Sequence, residues 1–156
     1  MSFSYIECKF WTYVLSSKEC LLKTDETEKY HIESTKKSLA EARAFCINRG
    51  QKLFEPKSLE AINEVIEIAK AQGVTESVLW IGIWRYQGNF IYDSSNDPIV
   101  YENWNPGEPN GESREDCTAL GKYSGKWYDV SCTSALPFVC ESGKTTVFLF
   151  FWFFFN

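Results

Sequence analysis

Apolar residues recur at two different periods along this chain, and the change of period marks out its elements. Ser38 stands three residues before Glu41, the spacing at which a serine hydroxyl and a glutamate carboxylate cap each other's backbone amides at a helix start. Leu39, Ala42, Phe45 and Cys46 then fall on one helical face, and Gly50 supplies the left-handed stop. A second helix is predicted from about Ser58, with Ala61, Ile62, Val65, Ile66 and Ala69 as its apolar stripe and Gly73 as its end. Both read as scaffold. Ahead of them, Lys29 to Glu33 reads as a first strand, with His31 a strand or surface residue rather than a ligand. From Leu79 the period becomes that of strands. Leu79-Trp80-Ile81-Gly82-Ile83 is a core strand with a glycine where another backbone can approach closely. Phe90-Ile91-Tyr92 is a further strand, Asp93 to Pro98 a polar loop, and Phe138 to Glu141 the last strand.

Composition narrows what such a chain can do. Its 156 residues support one core of ordinary size, and its net charge of -5 disfavours nucleic acid or an anionic membrane as partner. The six cysteines, Cys8, Cys20, Cys46, Cys117, Cys132 and Cys140, allow more pairings than spacing alone can choose among. None stands in a Cys-x-x-Cys pair, which argues against a metal ribbon or a thioredoxin-like site, and the even count points to an oxidising compartment. Met1 to Ser17 carries Glu7 and Lys9 among its apolar residues and makes a poor secretion signal. Val147 to Phe155 is uninterruptedly apolar but about half the roughly 20 residues of a spanning helix. It is read as an extension foreign to the native product, with a truncated anchor and a strand-like tail as alternatives; membrane association stays open.

The candidate chemistry lies between Trp104 and Asp129. Glu108, Asn110, Glu115 and Asp129 bring three carboxylates and a carboxamide onto two segments with Cys117 between them. Hard oxygens of that kind suit Ca²⁺, which takes six to eight of them, and not zinc, for which the lone His31 is a poor start. Taken alone, Asn105-Pro106-Gly107-Glu108-Pro109-Asn110-Gly111 is a turn-rich surface loop, although a proline between two polar residues permits a cis turn that aims both side chains the same way. No nucleophile–base set is present, and Glu115 beside Asp116 is better explained as metal ligand and loop charge than as an acid–base pair, because neighbours in a strand face opposite ways. The chain is therefore expected not to be an enzyme.

The order of motifs decides between these readings. Trp80-Ile81-Gly82-Ile83, Trp104-Asn105, Glu108-Pro109-Asn110, Glu115-Asp116-Cys117, Trp127-Tyr128-Asp129 with Cys132, and Pro137-Phe138-Val139-Cys140-Glu141 follow one another as in the C-type lectin-like domain, which the chain resembles from about Tyr30 to Glu141. The resemblance implies an α+β fold in which two helices flank antiparallel sheets and disulfides pin long ligand loops. Three segments follow: 1–29, with room for an extra hairpin disulfide between Cys8 and Cys20; the lectin-like domain at 30–142; and the apolar tail at 143–156. It implies the bridges Cys46–Cys140 and Cys117–Cys132. It also implies that Glu108, Asn110, Glu115 and Asp129 hold Ca²⁺ and, through it, vicinal sugar hydroxyls, the Glu-Pro-Asn order being the one that selects mannose-type sugars. Tyr128 stands where such members have Asn. A neutral phenol is a poor calcium ligand, so one metal ligand and one sugar donor are lost together, although the ring could add a stacking face for sugar. Arg85, Gln87 and Gly111 occupy positions at which auxiliary calcium sites carry acidic residues. Trp104 and Trp127 are expected to support the core rather than stack on sugar. Partners are then mannose-type glycans or a protein ligand, in a secreted or extracellular setting, with avidity from oligomerisation if it is needed.

Overall fold

A computed structural model describes residues 29–143 and the short strands β1 (Thr12–Tyr13) and β2 (Cys20–Leu21). The chain divides into two compact units, residues 1–27 with 146–156, and residues 28–145. In the first, β1 and β2 pair antiparallel with Tyr13 opposite Cys20. Cys8, its pairing with Cys20 and the apolar tail lie outside the described residues.

The second unit carries a seven-stranded sheet: β3 (Tyr30–Lys37), β4 (Lys52–Leu53), β5 (Val78–Tyr86), β6 (Asn89–Tyr92), β7 (Cys117–Gly121), β8 (Trp127–Val130) and β9 (Leu136–Glu141). Its order is β3-β9-β5-β7-β8, with β4 added to β9 and β6 to β5. The expectation of purely antiparallel sheets is corrected in one place. Strand β9 inserts between β3 and β5, which run in opposite directions, so it can be antiparallel to only one of them; it meets β5 parallel at Trp80 and Phe138.

Side chains alternate across a strand, so each central strand contributes to both faces of the sheet. On β5, Leu79, Ile81 and Ile83 join one buried cluster and Trp80 the other; on β9, Val139 joins the first, Phe138 and Cys140 the second. Helix α2 (Leu59–Ala71) covers the first face with Ile62, Val65, Ile66 and Ala69, and α1 (Leu39–Asn48) covers the second with Leu39, Ala42 and Cys46. The bridge between Cys46 and Cys140 crosses this second core, joining the first helix to the last strand. Trp127 is fully buried and Trp104 packs against the same cluster, so both support the core.

Local signals account for where the helices stop and start. The Ser38 hydroxyl accepts from the Glu41 amide while the Glu41 carboxylate accepts from the Ser38 amide, a reciprocal cap of the kind that contributes about 1 kcal/mol. The Ser58 hydroxyl caps α2 by accepting from the Ala61 amide, and Gly50 and Gly73 each take a φ of +68° past the helix ends. Gly82 meets the close neighbour anticipated for it. Its amide donates to the Phe54 carbonyl at 2.7 Å, and an added Cβ would lie 2.9 Å from the Leu53 carbonyl oxygen. That contact docks the segment after α1 against β5.

Candidate functional site

Two clamps fix the segment that carries the candidate residues. At its start the Trp127 amide donates to the Asn103 carbonyl and the Asn105 amide to the Trp127 carbonyl, both at 2.9 Å, so Trp104 runs beside β8 with its ring 5.5 Å from that of Trp127. At its end Cys117 opens β7 and is bridged to Cys132 after β8. Between the clamps the chain turns through a cis Glu108–Pro109 peptide and a short 3₁₀ turn, Glu112–Arg114. Glu115 and Asp116 lie between that turn and β7, so they are loop residues and not strand neighbours as the sequence suggested.

Asp129 is the pivot of the site. It sits in β8 opposite Thr118, with its side chain fully buried. Its Oδ1 accepts the Asn110 amide and its Oδ2 the Gly111 amide, each at 3.0 Å, which fastens the Glu-Pro-Asn turn to the sheet. Oδ2 also accepts from Arg85 Nη2 at 3.2 Å. Arg85, at the end of β5, lies over the Phe90 ring, places its Nε 3.6 Å from Asp116 Oδ1, and donates its backbone amide to the Asp116 carbonyl.

Glu108 and Asp129 share a hydrogen bond, with Glu115 near enough to act on the pair through its charge. Burial, the bond to Asp129 and the charges of Asp129 and Glu115 together push the Glu108 carboxyl above the usual carboxylate range. Burial works in the same direction on Asp129, but the Asn110 amide, Glu108, the Gly111 amide and Arg85 outweigh it and hold that carboxyl below its ordinary value. Negative charge is thus gathered at one edge of the sheet and only partly neutralised from within.

The remaining candidates are distributed around this pivot. Asn110 is exposed and reaches Asp129 through its backbone amide. Glu115 folds over Gly111 so closely that an added Cβ there would fall 2.0 Å from Glu115 Oε2 and 2.3 Å from its Cβ. Gly111 has an ordinary φ of -85°, so space and not backbone strain demands glycine. Gly111→Ala is expected to cost about 1–3 kcal/mol by overpacking and to displace Glu115, measured as a lower urea midpoint with an unchanged m-value. Tyr128 lies across Gly121, with its hydroxyl 3.5 Å from Ser124 Oγ on the β7–β8 turn.

The donor set fits a hard divalent cation in charge and in kind. Glu108, Glu115 and Asp129 are oxygen ligands whose mutual repulsion is already felt in Glu108, and the Asn110 carboxamide is free to join them. As the loops lie, no three acidic, histidine or cysteine side chains among the described residues surround a common point. The residue that sequence reasoning passed over is Arg85. It registered as a position lacking an acid, whereas the structure gives it a part: it is the cation that Asp129 faces. Its signal was present in the sequence, a lone guanidinium closing a nine-residue strand otherwise free of charge.

The lectin C-type domain family matches residues 35–142 of the chain. A tetranectin-like protein of Carcharhinus perezii is 34% identical over 144 residues, covering 85% of this chain and 86% of that protein. Collectin-11 of Danio rerio is 31% identical over 127 residues, covering 81% of this chain; the chain spans only 46% of that relative's length. Among solved structures, the C-type carbohydrate-recognition domain of cow CD23 superposes with a TM-score of 0.63 at 30% identity, covering 88% of this chain and 95% of that one. Its members are binding proteins without catalytic function. With the helices on either face of the sheet, the paired disulfides and the clamped loop in place, the chain belongs to the C-type lectin domain family.

Proposed function

We propose that the edge carrying Glu108, Asn110, Glu115 and Asp129 binds a carbohydrate of mannose type, with Ca²⁺ bridging protein and sugar. The observation that carries this reading is the set of oxygen donors gathered at one edge of the sheet, where the half-buried Glu108 carboxyl feels the negative charges of Asp129 and Glu115. When bound, the cation would supply a Lewis-acidic centre for two vicinal hydroxyls. The chain's own residues do the rest. Asp129 fixes the turn through two backbone amides, Glu108 and Glu115 offer acceptors to sugar hydroxyls, and the exposed Asn110 carboxamide offers both donor and acceptor. The cow CD23 structure was determined in the presence of a GlcNAc2Man3 oligosaccharide, which supports a mannose-containing ligand for a site of this design. The two bridges favour an oxidising, extracellular setting. One shallow site holds one sugar weakly, so a multivalent glycan would need several copies of this chain.

A second reading, calcium-independent recognition of a protein ligand, is favoured by the Arg85–Asp129 contact, which engages an acidic oxygen with an internal cation. Retention on mannose-agarose separates the two. Wild type is expected to be retained in millimolar calcium and released by chelator, and Glu108→Gln to lose at least tenfold in retention while keeping the wild-type urea midpoint. Absence of retention in calcium ends the sugar reading.

A further inference from the structure

We propose that Arg85 is a positioning residue, the resident cation that holds the ligand loop closed without any metal. The inference rests on the reading above only in taking the Glu108–Asp129 edge as the ligand-facing end. Three observations carry it. The guanidinium is largely buried, at 17% side-chain exposure, and reaches two acids on separate elements: Asp129 Oδ2 on β8 at 3.2 Å and Asp116 Oδ1 ahead of β7 at 3.6 Å. Asp129, fully buried, is the same carboxylate that accepts the Asn110 and Gly111 amides, so fixing its two oxygens fixes the turn that bears Glu108 and Asn110. The guanidinium is itself held from the third side by the Phe90 ring, 4.7 Å away.

The physical reason is that a buried carboxylate beside a second carboxylate needs a positive neighbour, or one of the two must take a proton or move out to water. Arg suits the task better than Lys, because its planar fork can reach two acceptors at once and it is held charged at any ordinary pH. Withdrawing it leaves the buried Asp129 beside Glu108 without its cation and Asp116 without its ion pair, and the loop between the Trp104 and Cys117 clamps becomes the part free to give way. The consequence for binding is that the sugar-facing turn is set before ligand arrives, and the ordering cost of association falls accordingly.

Arg114, exposed in the 3₁₀ turn of that loop, makes the inference testable with trypsin. In chelator, wild type is expected to be cut slowly after Arg114. Arg85→Gln is expected to be cut about tenfold faster, since about 1.4 kcal/mol lost from the closed loop raises the open population tenfold. Arg85→Lys should fall between the two, keeping the charge without the fork. The urea midpoint of each variant is measured alongside, so that local opening is separated from global unfolding. Equal cleavage of wild type and Arg85→Gln in chelator overturns the proposal, and so does faster cleavage that follows from a lowered global midpoint alone. The cleavage assay runs in chelator and without sugar, so the failures of the two ideas stay apart: a wild type that ignores mannose in calcium while depending on Arg85 for protection ends the sugar reading only.

Discussion

Replacing Cys46 and Cys140 together by alanine is expected to lower the unfolding free energy by about 4–5 kcal/mol. The two cysteines are 94 residues apart, so their bridge closes most of the domain into one loop. In the loop-entropy account that removes a large part of the freedom of the unfolded chain, and both sulfurs also leave fully buried positions between α1 and β9. A domain of this size has about 5–15 kcal/mol in total, so the variant would be marginal. Urea denaturation of the double variant is the measurement. The Cys117→Ala, Cys132→Ala variant is the comparison, because its loop of 15 residues should cost only about 3 kcal/mol. If the short bridge proves the more costly, unfolded-state entropy does not govern these disulfides.

The second large effect is expected at Trp80. Trp80→Ala should cost about 3–5 kcal/mol, since the ring is fully buried on the α1 face of β5 and is among the largest side chains enclosed. Its indole also has a polar duty. Nε1 donates at 2.8 Å to the carbonyl of Lys37, the last residue of β3, just beyond an irregularity in the pairing of β3 with β9. Trp80→Phe refills much of the volume and withdraws that donor, so it should cost about 1–3 kcal/mol, the penalty of a carbonyl left without its partner. Chemical denaturation distinguishes the two contributions: a Phe variant as unstable as the Ala variant would place the energy in the hydrogen bond, and one equal to wild type would place it all in packing.

Much of the scaffold was legible because local signals there act locally. Ser38 with Glu41, Ser58, Gly50 and Gly73 punctuate the two helices at the residues expected, since capping and left-handed stops depend on a few neighbouring atoms. Strand lengths were harder: β3 runs to Lys37 although its pattern faded after Glu33, because pairing with β9 across a shifted register carries it on. The two-residue β4 has no pattern of its own and exists through its pairing with Leu53 opposite Cys140. At the candidate site, residue types were readable and partnerships were not. Glu108 and Asp129 could be named from the sequence, but Asp129 fully buried, with the Asn110 and Gly111 amides on its oxygens, requires β8 to lie under the turn. Arg85 stands 44 residues before Asp129, and no periodicity links them. Tyr128, read as an intruder among the ligands, packs on Gly121 instead, because strand alternation turns it away from the face that Asp129 and Trp127 enter on either side of it.

The double clamp around the Glu-Pro-Asn segment separates the loop from the frame that carries it. Asn105 is tied to Trp127 by backbone groups and Cys117 to Cys132 by a covalent bond, so neither anchor depends on the identity of the residues in between. Lengthening a flexible segment held at both ends costs only about 0.6 kcal/mol per doubling. Extra residues can therefore be accommodated between those anchors at little cost to the frame beneath, so long as Gly111 and the turn fastened to Asp129 keep their places.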